Sequence, residues 1–246
     1  MNLIEIYRRL SDKVSRLDFE PPVSHVYNPL EYARLSHEDY LTRFGEPPKR
    51  VVFLGMNPGP FGMAQTGIPF GDVETVANWL VVHQKVEAPQ KEHPKRPIRG
   101  LECPRVEVSG ARLWSWIRTR WVTPKSFFEE VFVANYCPLV FLEAGGRNRT
   151  PDRLPRGERL DLFNACDEAL AAVVDHLKSE WVVGIGAFAH RRAVESLARA
   201  PVRIGKILHP SPASPAANRG WREVAEKQLA EQRIFDRAFF EEENRC

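Results

Sequence analysis

Four cysteines, three methionines and no apolar stretch of membrane length are the main scarcities of this 246-residue chain. Cys103, Cys137, Cys166 and Cys246 lie far apart. They offer neither a disulfide framework nor the close pairs of a zinc or iron–sulfur site. The longest nearly apolar segment, Trp181 to Ala189, is far too short to span a bilayer. Arg8 and Arg9 interrupt the N-terminus before a signal peptide's apolar region could form. These absences point to a soluble, intracellular protein without a membrane partner. A strong excess of one charge is also missing: 35 basic against 32 acidic residues leave +3, which demands no polyanionic partner. The glycines at 55, 59 and 62 fit neither G-x-G-x-x-G nor a Gly-Lys-Ser/Thr phosphate loop. Finally, no carboxylate occurs within Gly55–Gly62, where a base that activates water would be expected.

What is present is a buried-sheet pattern. With 43% hydrophobic residues the chain can bury one sizeable core, and it reads as a single domain over 1–246, with 236–246 a flexible acidic tail. Four apolar runs, Arg50–Leu54, Val131–Asn135, Trp181–Ile185 and Val202–Leu208, are too hydrophobic for half-exposed strands. They predict a buried, largely parallel sheet. Helical patterns precede, separate and follow them: Asn2–Leu17, Leu30–Phe44, Val73–His83, Ala111–Trp121, Glu158–Leu177, Phe188–Ala198 and Trp221–Gln232. This alternation gives an α/β fold with helices on both sheet faces. The proline-rich stretch Val86–Val108 reads as a long surface loop.

The run Val51–Leu54 leads directly into Gly55-Met56-Asn57-Pro58-Gly59-Pro60-Phe61-Gly62. Rigid backbone at a strand's carboxyl end is where open α/β sheets build ligand sites. Asn57, Asn135, Gly186 and His209 all fall at such ends and should converge on one crevice. Each has a plainer reading. Asn57 either serves catalysis or bridges the loop backbone. Asn135, an amide in an apolar strand, either stitches local backbone or reads a ligand's hydrogen-bonding edge. His209 is catalytic or structural. Phe61 and Phe70 are core residues by default, and Asp72 reads as a helix N-cap. Two basic stretches, Lys91/His93/Lys95/Arg96/Arg99 and Arg147/Arg149/Arg153/Arg156, suit phosphate contacts or a solvated face.

Several segments taken together carry a family resemblance. GMNPGPFGMAQTGIPFG (Gly55–Gly71) resembles the first active-site motif of the single-strand-selective monofunctional uracil-DNA glycosylases. HPSP at His209–Pro212, followed by Pro215, Asn218, Gly220 and Trp221, resembles the second. YNPLEYA near Tyr27, EHPKRPI, GLECP, EVSGAR (Glu107–Arg112), NYCPL (Asn135–Leu139) and GRNRTP (Gly146–Pro151) are also similar. The resemblance implies a three-layer α/β/α sandwich around a mostly parallel four-stranded sheet. It further implies excision of uracil and some 5-substituted uracils from single- and double-stranded DNA, without strand cleavage, metal, cofactor or obligate protein partner.

By the same resemblance Asn57 positions the attacking water, and His209 stabilises charge developing on uracil O2. Phe70 stacks on the flipped base, and Asn135 reads O4 and N3–H. Gly59 and Met63 line the region of the 5-substituent, with Gly55, Met56 and Phe61 contacting substrate beside them. Ser211, Pro212, Ala213 and Arg219 belong to the DNA-facing turn. The chain departs from the family pattern there. An Arg that wedges into the duplex usually follows HPSP, and here it is Ala213, with Ser214 in place of the next Asn. The expected consequence is weaker engagement of duplex and relatively better action on single strands, with Arg219, Arg147 or Arg149 as compensating phosphate contacts. Two other readings stay open: a catalytically weak lesion-binding module, and a small-molecule nucleoside hydrolase with the same pocket.

Overall fold

The computed structural model describes residues 1–241. Among the described residues there are seven strands: β1 Val23–Tyr27, β2 Val51–Gly55, β3 Val131–Asn135, β4 Val140–Glu143, β5 Asn148–Arg149, β6 Trp181–Ile185 and β7 Arg203–Ile207. The order β3-β2-β6-β7 forms a four-stranded sheet whose pairs are all parallel. The four apolar runs of the sequence are these four strands. β2 and β6 are buried along their whole length, as strands covered on both faces must be.

The register assigns the two faces. Val52 and Leu54 align with Phe132 and Ala134 of β3 and with Val182 and Gly184 of β6. On this face Phe132 meets Tyr40 of the helix Arg34–Phe44, with ring centroids 5.3 Å apart. Gly184 lies under the helix Ala187–Ser196, where a Cβ would come within 2.3 Å of the His190 backbone. The other face carries Phe53 against Trp116 of the helix Val108–Arg120, and Trp116 meets Trp221 of the helix Trp221–Glu231. The sandwich therefore has three layers. Among the described residues no helix is long and apolar enough to cross a membrane.

Three features differ from the sequence pattern. The stretch Leu30–Phe44 is two helices, Pro29–Tyr32 and Arg34–Phe44, interrupted at Ala33. The stretch Val73–His83 ends at Leu80, with a wider π turn over Val76–Leu80 and Val81 left-handed at its end. A second, antiparallel sheet of order β1-β4-β5 was not read at all. Within the stretch 236–246, expected as a flexible acidic tail, Arg237–Glu241 form a short helix. There the rings of Phe239 and Trp121 lie 5.0 Å apart, and those of Phe239 and Phe235 5.2 Å. Aromatic burial outweighs the solvation of the neighbouring charges. The remainder of that tail, 242–246, lies outside the described residues.

A strand-end cavity as candidate active site

A cavity of about 370 Å³ opens at the carboxyl ends of β2 and β3. Asn57, Asn135, Phe70, Met63 and His209 all line it, so groups remote in sequence converge as the parallel register requires. Met56, Gly59 and Ser211 line it too.

The two amides are set by one hydrogen-bond ladder. Gly55 pairs with Asn135 at the last rung of β2 and β3. The ladder continues past the strands, as Tyr136 N–H donates to Gly55 O at 3.0 Å and Cys137 N–H to Met56 O at 2.9 Å. Asn57 then donates its Nδ2–H to Leu139 O at 3.1 Å, which leaves Oδ1 as its free acceptor. Asn135 turns its Nδ2 toward the Met63 sulfur at 3.3 Å. Gly55 itself does not line the cavity. It makes room for those that do, because a Cβ there would sit 2.2 Å from Asn135 Oδ1 and 2.5 Å from the Phe70 ring.

Phe70 adopts φ 55°, a left-handed conformation that non-glycine residues avoid. Its carbonyl is held there by Asp72 N–H at 2.9 Å and Trp114 Nε1–H at 3.2 Å. Asp72 caps its helix as expected, accepting from Thr75 N–H and Oγ1–H. The first motif is braced from behind by the segment Tyr32–His37. Tyr32 Oη donates to Ala64 O, Ser36 Oγ to Thr66 O, and His37 Nδ1 to Gly67 O at 2.7 Å.

On the far side of the cavity, Ser211 N–H donates to His209 Nδ1 at 3.1 Å. An imidazole that accepts at Nδ1 carries its proton on Nε2 when neutral. Burial lowers the pKa of His209, so the neutral form prevails at neutral pH. The ring stands 6.3 Å from that of Phe70. The site thus offers a neutral N–H donor, two primary amides and an aromatic face. Among the described residues no group of three or more His, Cys, Asp or Glu stands close enough to hold a metal ion.

Other expected positions fall differently. Phe61 does not line the cavity, and its ring lies beside Arg105 and Arg96 instead. Two adjacent guanidinium groups hold it more favourably than an opening shared with water. Pro212 and Ala213 are exposed beyond the cavity, in a turn closed by Asn218 Nδ2–H to Pro212 O and Ala213 N–H to Ser211 Oγ. Arg219 is exposed just after the short helix Pro215–Asn218. Arg149 is committed to Glu143 at 2.9 Å and to Arg153 O, so it is no free phosphate contact.

Four lining residues went unread: Glu107, Ser109, Asn148 and Thr150. Glu107 occupies the N-cap position of the helix Val108–Arg120, yet its side chain does not cap. Its carboxylate instead fills the space beside Gly59, where a Cβ would lie 2.1 Å from Oε2. Burial raises its pKa, and the Phe61 and Ser109 backbone amides offset part of that rise. Asn148 Oδ1 is buried without a partner. The EVSGAR and GRNRTP segments were the only signals for these residues.

Comparisons with known proteins place the chain in a family. The family model of the uracil DNA glycosylase superfamily matches residues 42–233. The rat single-strand selective monofunctional uracil-DNA glycosylase is 50% identical over 225 residues, covering 91% of this chain and 81% of the relative. The cattle protein of that name is equally identical, with 83% of its length covered. The crystal structure of wild-type SMUG2 from Pedobacter heparinus superposes with a TM-score of 0.66 at 16% identity, over 93% of this chain and 97% of that one, a likeness of fold. The chain belongs to the uracil-DNA glycosylase superfamily and, within it, to the single-strand-selective monofunctional uracil-DNA glycosylases.

Proposed function

We propose that this chain hydrolyses the N-glycosidic bond of deoxyuridine in DNA, releasing uracil and leaving an abasic site. The observation that carries the reading is the neutral His209, fixed with its proton on Nε2 in the same cavity as Asn57 and Asn135. Uracil leaves its stack, stacks on Phe70, and pairs its amide edge with Asn135. As the N1–C1′ bond breaks, its electron pair moves onto uracil, and His209 Nε2–H donates to the developing negative charge at O2. A neutral donor aimed at developing charge is electrostatic preorganisation. Water accepted by Asn57 Oδ1 adds through its oxygen to C1′ and releases its proton to the departing uracil or to solvent. The loop that carries Asn57 contributes no carboxylate, and the cavity's acid, Glu107, packs against Gly59; this suits the order of events, because an oxocarbenium-like sugar needs little activation of water.

The 5-substituted uracils would extend their substituents toward Gly59, Met63 and Glu107. Ala213 carries only a methyl group, too small to fill the space left by a flipped base, which favours single-stranded substrate over duplex. Release of labelled uracil from a single-stranded oligonucleotide tests the proposal. Asn57→Ala and His209→Ala should each lose about 100- to 1,000-fold in rate while folding normally. Near-normal release by both variants would overturn the assignment of roles.

A further inference from the structure

An unclaimed cationic feature stands beside the cavity. The Phe61 ring, on the loop that carries Asn57, has the Arg105 guanidinium carbon 4.5 Å and that of Arg96 5.4 Å from its centroid. Two cations over one ring repel each other. The aromatic face offsets only part of that cost, and a bound anion offsets more.

No such anion comes from the protein. Among the described residues neither arginine has an ion pair, and Arg96 Nε is buried without a partner. Among the described residues none of the nearby acids, exposed Glu102 included, forms an ion pair with either arginine. Glu92 accepts from Ile98 N–H at 2.8 Å, and Glu107 faces Gly59 inside the cavity.

The mounting is stiff. Arg96 N–H donates to His93 O, and Arg96 O accepts from Tyr27 Oη, both at 2.8 Å. Buried Gln65 ties this loop to the first motif, donating to Pro60 O at 3.0 Å and Pro97 O at 3.1 Å while accepting from Arg99 N–H at 2.8 Å. Pro60 and Glu107 line the cavity, so Phe61 and Arg105 stand at its rim.

We propose that Arg96 and Arg105, mounted on Phe61, bind a backbone phosphate of the single strand whose base enters the cavity. They supply there the grip that Ala213 cannot. This inference rests on the proposed action on DNA and adds the protein's contact to the strand.

The test uses the full chain and a uracil-free oligothymidylate, whose binding is followed by fluorescence anisotropy over a range of salt. Uracil release from a matched uracil-containing strand is measured in parallel. Arg96→Gln and Arg105→Gln should each weaken oligothymidylate binding by about three- to tenfold. The double variant should also reduce the slope of log K against log salt by about 0.7, the single-strand value for one lost phosphate contact, and each single variant should take part of that reduction. In uracil release KM should rise by a similar factor with kcat unchanged. Phe61→Leu keeps both charges but loses their mount, and should weaken binding with little change of slope. Arg203→Gln, at a guanidinium held by Trp181 and Glu180 away from the cavity, should leave binding as it is. Unchanged slopes in both arginine variants, or losses confined to kcat, would overturn the inference. A wild-type protein whose oligothymidylate binding depends on these arginines, but which releases no uracil, would overturn the proposed function and leave this phosphate site standing.

Discussion

Acidification from pH 7 to pH 5 should weaken the fold through His37, behind the first motif. This ring is only 2% exposed, and it donates from Nδ1 to Gly67 O while Nε2 has no partner. Burial is the main reason its pKa falls from 6.5 to about 4, against smaller opposing effects of the Gly67 hydrogen bond and Glu38. The sign follows from linkage. The unfolded chain takes up the proton below pH 6.5, but the folded chain refuses it until pH falls to about 4, so stability drops through that window. One proton over 1.5 pH units gives a loss of about 2 kcal/mol between neutrality and pH 5. Urea unfolding at several pH values measures it. His37→Asn keeps an amide donor toward Gly67 but does not titrate. It should be less stable than wild type at pH 7 and close the gap by about 2 kcal/mol at pH 5. His25, His190 and His209 also have lowered pKa values, and their share cancels in this difference. A gap that stays constant with pH would refute the reasoning.

Phe70→Gly should be more stable than Phe70→Ala by about 1 kcal/mol, since φ 55° strains any side chain, and chemical denaturation of the pair would check it. Both should lose uracil release together. Gly59→Ala should impair release by forcing the Glu107 carboxylate aside, and adding Glu107→Ala should recover part of the loss, with a coupling of about 1 kcal/mol in a double-mutant cycle. Glu226 accepts from Trp116 Nε1–H at 2.8 Å and from Arg120 Nε–H at 2.9 Å. Glu226→Ala should therefore lower stability by about 2 kcal/mol in thermal or urea unfolding, with uracil release intact below the new midpoint.

The parallel sheet was legible because strands buried on both faces become unbroken apolar runs, and Val51–Leu54 and Trp181–Ile185 are such runs. The antiparallel sheet was not, for the complementary reason. β1 mixes Ser24 and His25 with apolar residues, β4 has four residues, and β5 has two. Asn57, Asn135 and His209 could be brought together from strand ends alone. Glu107 could not, since it falls in the proline-rich stretch read as a surface loop, ahead of a helix expected only from Ala111 and beginning at Val108. Asn148 was lost with the strand that carries it. The setting of Phe61 was not legible, because its neighbours Arg96 and Arg105 come from a long irregular loop whose path no periodicity encodes.

Gln65 gives that loop an unusual dependence. One side chain fastens the basic segment to the backbone that precedes Phe61, so the outer loop cannot be exchanged as an independent module. A transplanted loop from a relative would have to present a carbonyl where Pro97 does and an amide where Arg99 does. Otherwise it would leave a polar tip stranded in the interior, and the slack would reach the glycine-rich turn before any nucleic acid arrived.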